Sequence, residues 1–287
     1  MPKIAAAPPG SARKPKLGQH FLADHSAAGR IVDALGDVSQ GTVLEVGPGR
    51  GIITSLLAPR TRRLIAIELD RVLAAQLRMK FALRPSVEII EGDILAIDFS
   101  TLFGPKPGST RPGIEFKPEP VHVVGNLPYY LTSDILLRLF EQRQYFQTIV
   151  IMVQREVADR LAAAPGSRDY GLLSATAQLY ARVQILFTLA PGAFSPPPKV
   201  HSTVVRLTLA PRLDNLRVRE EEFINFLKLS FGQKRKTLWN NLKSQYAPDV
   251  LRNALEKAVV KPTVRAEALS LEKSASLFRA LQDGSAR

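Results

Sequence analysis

Between residues 42 and 164, short runs of aliphatic and β-branched residues alternate with segments of helical periodicity, and few folds accept that order. TVLEV (42–46) precedes IITSLLA (52–58), RRLIAIELD (62–70) precedes RVLAAQLRMKFAL (71–83), and VEIIEGD (87–93) follows Pro85. VHVVGN (121–126) leads into TSDILLRLFEQ (132–142), and QTIVIMVQ (147–154) into REVADRLAAA (155–164). Strands this apolar have no polar face to offer water. They predict a parallel sheet covered on both sides by the intervening helices. The fold class is α/β, doubly wound, with ligands expected at the carboxyl ends of the strands.

The rhythm breaks in two places. Segment 98–120 holds five prolines and three glycines and reads as an extended surface loop. After HSTVVRLTLAP (201–211), EEEFINFLKLSF, TLWNNLKS and PDVLRNALEKAV carry helical periodicity and no further strand appears. The expected organisation is a disordered basic arm (1–15), a catalytic domain (16–211) and a small helical domain (212–287). MPKIAAAPPGSARKPK is positively charged but has no apolar core, so it is not a secretory signal. Pro8, Pro9 and Pro15 would break the amphipathic helix of a transit peptide.

The chain has no cysteine, which excludes disulfides, a catalytic thiol and thiolate-bound zinc. Its four histidines show no H-x-x-x-H spacing, so no metal is expected. No apolar run approaches the roughly 18 residues of a membrane span. A cytoplasmic protein is expected, acting as a monomer. The net charge of +13 is unevenly placed. Residues 1–25 carry four basic side chains against one acidic, residues 206–287 sixteen against nine, and the long middle nineteen against sixteen. A nearly balanced body with two basic ends suits a polyanion gripped at its flanks, so nucleic acid is the expected partner.

VLEVGPGRG (43–51) puts Gly47, Gly49 and Gly51 between the first strand of this series and its helix. Glycines there let a ligand approach the backbone where any Cβ would block it. The next strand carries Glu68, 21 residues beyond Gly47, at the usual distance for a carboxylate that accepts from ribose hydroxyls. Asp93, after the third strand, can accept from an adenine amine. Either acid could instead cap the following helix. NAD and S-adenosylmethionine both present adenosine to such a cleft. The dinucleotide fingerprint is G-x-G-x-x-G, whereas this loop is G-x-G-x-G with Glu45 two residues ahead. That form resembles the methyl-donor version, and S-adenosylmethionine is the expected cofactor.

Asn126-Leu127-Pro128-Tyr129 stands at the end of the fourth strand. An adenine amine is a poor nucleophile because its lone pair is delocalised into the ring, and it must pyramidalise to attack a sulfonium methyl. Two oxygens accepting from its two N–H bonds favour that shape. The Asn126 amide can supply one and the Leu127 carbonyl the other. Pro128 fixes φ and so the direction of that carbonyl. Tyr129 offers a flat ring for a flipped-out base. In PGAFSPPPKVHS (191–202), a proline-stiffened loop can bring Phe194 to the opposite face of the base and Lys199 to a phosphate.

Together these motifs resemble the ribosomal RNA adenine dimethyltransferase family, bacterial small-subunit type, from KLGQHFLAD (16–24) to FGQKRKTLWNNL (231–242). The resemblance implies transfer of two methyls to each of two adjacent adenosines near the 3′ end of small-subunit rRNA, within an assembling small ribosomal subunit. It implies a donor site of His20, Leu22, Gly47, Glu68, Asp93 and Asn126, and a base pocket of Asn126, Leu127, Tyr129 and Phe194. Many members have Asn where this chain has His20. The macrolide-resistance methyltransferases share an NLPY-like motif but act on large-subunit rRNA. The tail resembles the small-subunit enzymes, with Lys234, Arg235 and Lys236 beside Gln233 as a basic cluster suited to phosphates. Trp239 reads as core of the helical domain. A large-subunit rRNA adenine dimethyltransferase of the macrolide-resistance type, an assembly factor acting mainly by binding, and a DNA adenine methyltransferase are the alternatives.

Overall fold

The computed structural model describes residues 20–105 and 119–285; the basic arm and most of the proline-rich loop lie outside them. A two-residue strand β1 (Phe21–Leu22) leads into α1 (His25–Asp33), where the Asp24 carboxylate accepts from the Ala27 N–H and closes the first turn. The alternation then runs through β2 (Thr42–Val46), α2 (Ile52–Leu57), β3 (Arg63–Glu68), α3 (Arg71–Lys80), β4 (Val87–Glu91) and α4 (Phe99–Phe103). It continues with β5 (Val121–Asn126), α5 (Thr132–Glu141), β6 (Phe146–Gln154), α6 (Arg155–Ala162), α7 (Leu172–Tyr180), β7 (Ala181–Leu189), β8 (Phe194–Ser195) and β9 (Ser202–Leu209). The tail holds α8 (Leu213–Leu216), α9 (Glu220–Ser230), α10 (Leu238–Leu242), α11 (Pro248–Lys257) and α12 (Leu271–Ser285).

Seven strands form one sheet in the order β4-β3-β2-β5-β6-β9-β7, with β9 alone running against the others. The sheet is therefore mostly, not wholly, parallel. β3 also stops two residues early, because the Asp70 carboxylate accepts from the Val72 and Leu73 N–H groups and starts α3. The segment read as a loop from residue 98 begins with a helix instead. Asp98 caps α4 through the Ser100 N–H, and Phe99 and Phe103 turn into the core.

Side-chain alternation divides the core into two layers. Leu44, Val46, Val123, Ile149, Ile151, Val205 and Leu207 face one side, and the buried residues there run on without a break into the tail helices. Val43, Leu64, Val124, Val150, Met152 and Val204 face α1, α2 and α3 on the other. The tail is also tied to the sheet layer through Glu220, which accepts from Arg143 at 2.5 Å and from the Tyr180 hydroxyl at 2.8 Å. Among the described residues no helix is long and apolar enough to cross a membrane.

Candidate active site

β2 lies between β3 and β5, so the chain leaves it in one direction and returns on its other side. A crevice opens at such a switch point, beyond the carboxyl ends of the strands. Gly47 and Gly49 after β2, Glu68 ending β3, Asp93 after β4 and Asn126 ending β5 all line one cleft.

The glycine loop needs its glycines. Gly47, Gly49 and Gly51 have φ of +67°, +58° and +76°, in the left-handed region that side chains avoid. A Cβ on Gly49 would also sit 2.8 Å from Cδ1 of Phe21. The loop is pinned by Glu68, only 3% exposed, whose two carboxylate oxygens accept from the Gly49 and Asp70 N–H groups, each at 2.9 Å. A carboxylate has about four acceptor sites, so capacity remains for ribose hydroxyls. One oxygen of Asp93 takes the Leu95 N–H at 2.9 Å, and the other is open to an amine. Leu69 and Ile94 supply apolar walls suited to a flat ring. The cleft thus fits an adenosine-bearing group on a glycine cradle.

Beside it, the Asn126 side-chain N–H donates to the His20 carbonyl at 2.9 Å. That bond fixes the amide's orientation, and no described residue donates to its oxygen. It also makes the His20 contact a backbone one, which is indifferent to whether His or Asn stands at position 20. The Leu127 N–H is held by the Met152 carbonyl at 3.2 Å, while the Leu127 carbonyl accepts from nothing among the described residues. The Tyr129 hydroxyl shares a 2.8 Å hydrogen bond with Ser202, and its ring stacks on His20 with centroids 6.0 Å apart. Two unused oxygens and an aromatic face therefore meet the donor cleft.

Gly125, immediately before Asn126, is required by close approach. A Cβ there would lie 2.8 Å from the Val46 carbonyl oxygen, an atom of the central strand that cannot yield. Gly125→Ala is expected to destabilise the protein by about 1–3 kcal/mol, as overpacking does. Denaturant unfolding checks this.

Glu45 lies under the loop, 2% exposed, and neither its Oε2 nor the Thr54 hydroxyl beside it has a hydrogen-bond partner among the described residues. Burial pushes its carboxyl up to about 7; Thr54 and Lys80 oppose the rise and Glu68 adds to it. The folded protein therefore keeps a proton that the unfolded chain has lost between about pH 4.5 and 7. Stability contributed by this group falls as pH rises through that window, by roughly 3 kcal/mol in full. Glu45→Gln should match the wild type near pH 4.5 and exceed it in stability above about pH 7, as measured by urea unfolding at both values.

Two expected site residues are placed differently. Leu22 is 7% exposed and its side chain turns into the core, so the side chain does not face the cleft. Phe194 pairs with Leu22 in the β1–β8 ribbon and is 4% exposed in the same core layer, so it presents no free face to a base. Antiparallel pairing sets Leu22 and Phe194 on the same, inward face of the ribbon, and a local reading of GQHFL and AFSPPPK could not see that the two segments meet. Phe21 lines the cleft instead, its ring under the Arg50 guanidinium at 4.6 Å. Lys199 is exposed in a separate depression with Arg155, His201 and three carboxylates. Lys234, Arg235 and Lys236 are exposed on a turn, and the Lys234 ammonium donates to the Arg168 carbonyl at 2.8 Å. Trp239 is half-buried against the core, as its position predicted.

A doubly wound sheet with a G-x-G-x-G cradle and acids at the next two strand ends defines the class of S-adenosylmethionine-dependent methyltransferases. The model of the family described as "Ribosomal RNA adenine dimethylase" matches residues 10–283. The chain is 57% identical to the ribosomal RNA small subunit methyltransferase A of Koribacter versatilis, over 99% of this chain and 100% of that one. Among solved structures, a dimethyladenosine transferase from Plasmodium falciparum superposes with a TM-score of 0.76 at 23% identity, covering 93% of this chain and 98% of that one. The 23S rRNA methyltransferase ErmE does so at 0.66 and 26%, covering 91% and 99%. The chain belongs to the ribosomal RNA adenine dimethylase family and is an S-adenosylmethionine-dependent adenine dimethyltransferase.

Proposed function

We propose that this enzyme dimethylates the exocyclic amines of two adjacent adenosines near the 3′ end of small-subunit rRNA, in the cytoplasm and as a monomer acting on the assembling subunit. The single observation that carries the mechanism is the bond from the Asn126 amide to the His20 carbonyl, which occupies the amide N–H, while no described residue donates to the Asn126 side-chain oxygen or the Leu127 carbonyl. These two oxygens hold the target amine through its N–H bonds and favour its pyramidal, nucleophilic form. Bound S-adenosylmethionine supplies a sulfonium methyl. Glu68 and Asp93 hold its adenosine, and Gly47 allows its close approach. Tyr129 takes one face of the base, and Pro128 sets the direction of the Leu127 carbonyl. The methylated amine gives its proton to water, so no general base is needed.

The two basic ends supply the grip on RNA. Residues 16–211 act as the catalytic domain and 212–287 as the rRNA-binding domain, with Lys199, Lys234, Arg235 and Lys236 meeting phosphates. The name of the 57%-identical relative supports a small-subunit rather than a large-subunit target. The test is methylation with radiolabelled S-adenosylmethionine, offering undermethylated small subunits, large-subunit RNA and duplex DNA in parallel. Dimethyladenosine from the small subunit alone is the expected result; label in the other substrates would move the target. Reversing the three tail cations to glutamate should raise KM for the subunit at least tenfold and flatten its salt dependence, without changing donor affinity.

A further inference from the structure

Tyr130 is the only Phe, Tyr or Trp among the described residues whose side chain the fold leaves exposed. It is 61% exposed, makes no hydrogen bond and touches no other ring among those residues. The fold has no use for it, yet it stands on the wall of the cleft with Asn126 and Tyr129. Its turn is firmly held, since the Leu131 N–H donates to the Pro128 carbonyl at 3.0 Å and the Thr132 hydroxyl to the same oxygen at 3.2 Å. The backbone that carries the ring is thus held at the mouth, one residue outside the ring that faces the target site.

We propose that Tyr130 is the platform for the nucleobase adjacent to the one being methylated. This rests on the rRNA reading above and deepens it. Drawing one base into the cleft breaks its stacking with its chain neighbour. An aromatic face at the rim restores that contact for the neighbour, whatever its identity, because every base has a π face. Tyr130 is a positioning residue: it holds the strand and touches neither donor nor amine.

The experiment compares Tyr130→Phe, Tyr130→Leu and Tyr130→Ala on undermethylated small subunits, measuring kcat, KM and S-adenosylmethionine affinity. Phe should keep KM within about twofold, while Leu and Ala raise it roughly ten- to hundredfold, with kcat at saturation and donor affinity held. Leu matching Phe would overturn the proposal by showing that apolar bulk suffices. Unchanged KM in all three, or a loss of donor affinity, would overturn it as well. A wild-type enzyme that labels no small-subunit adenosine would instead sink the underlying rRNA reading, and this inference with it.

Discussion

Asn126→Ala should lower kcat about 10²- to 10³-fold, the usual cost of removing one preorganised polar contact from a developing charge. The effect has two sources in this structure. The amide oxygen that would accept from the target amine is lost, and so is the bond that ties β5 to the His20 carbonyl 106 residues away. Asn126→Asp separates them. Its carboxylate can still accept from the amine, but it faces the His20 carbonyl with an oxygen in place of an N–H. If holding the amine were the whole role, Asp would restore much of the activity. The expected result is that Asp stays close to Ala, because two oxygens repel where one donor stood. Single-turnover methylation together with S-adenosylmethionine titration resolves chemistry from donor binding. An alanine variant with wild-type kcat would end the assignment of Asn126 to the amine.

Tyr129→Ala should cost roughly ten- to hundredfold in kcat/KM for the subunit while donor affinity survives, since base–aromatic stacking is worth about 1–3 kcal/mol. The ring already rests on His20 and is oriented by the Ser202 hydroxyl, which is itself fully buried. Tyr129→Phe keeps the stacking face and gives up only the orienting bond, so it should lose no more than about tenfold. Equal loss of donor affinity in Tyr129→Ala would move the ring to the donor side of the cleft. With Phe194 buried beside Leu22 of β1, Tyr129 is the ring next to the Asn126 amide that is left for the target base, which is why its loss ranks with that of Asn126.

Much of this site was legible because its parts are local. A glycine loop between a strand and a helix, an acid at the next strand end and NLPY after a fourth strand are each set by residues within one turn of each other. They converge because a doubly wound sheet brings its strand ends to one edge. The missed parts are of another kind. Phe21, Leu69 and Ile94 line the cleft as ordinary apolar residues, with nothing in their spacing to mark them. Periodicity does not mark α7 and β7, as the strand's alternation is blurred by a register shift between Ile185 and Phe187. α4 was masked by the prolines that follow it.

The amino-acid sequence by itself determined the α/β class and the chemistry carried at each strand end. These follow from hydrophobic period and turn chemistry, which act over a few residues. Only the tertiary structure decided that β9 runs against its neighbours, that Glu68 pins the glycine loop, and that His20 meets Asn126. It also decided that β1 and β8 pair, taking Leu22 and Phe194 into the core. Those contacts join residues from 19 apart, Glu68 and Gly49, to 174 apart, Phe21 and Ser195. No local pattern encodes them, because their partners become neighbours only when the whole sheet has closed its two faces.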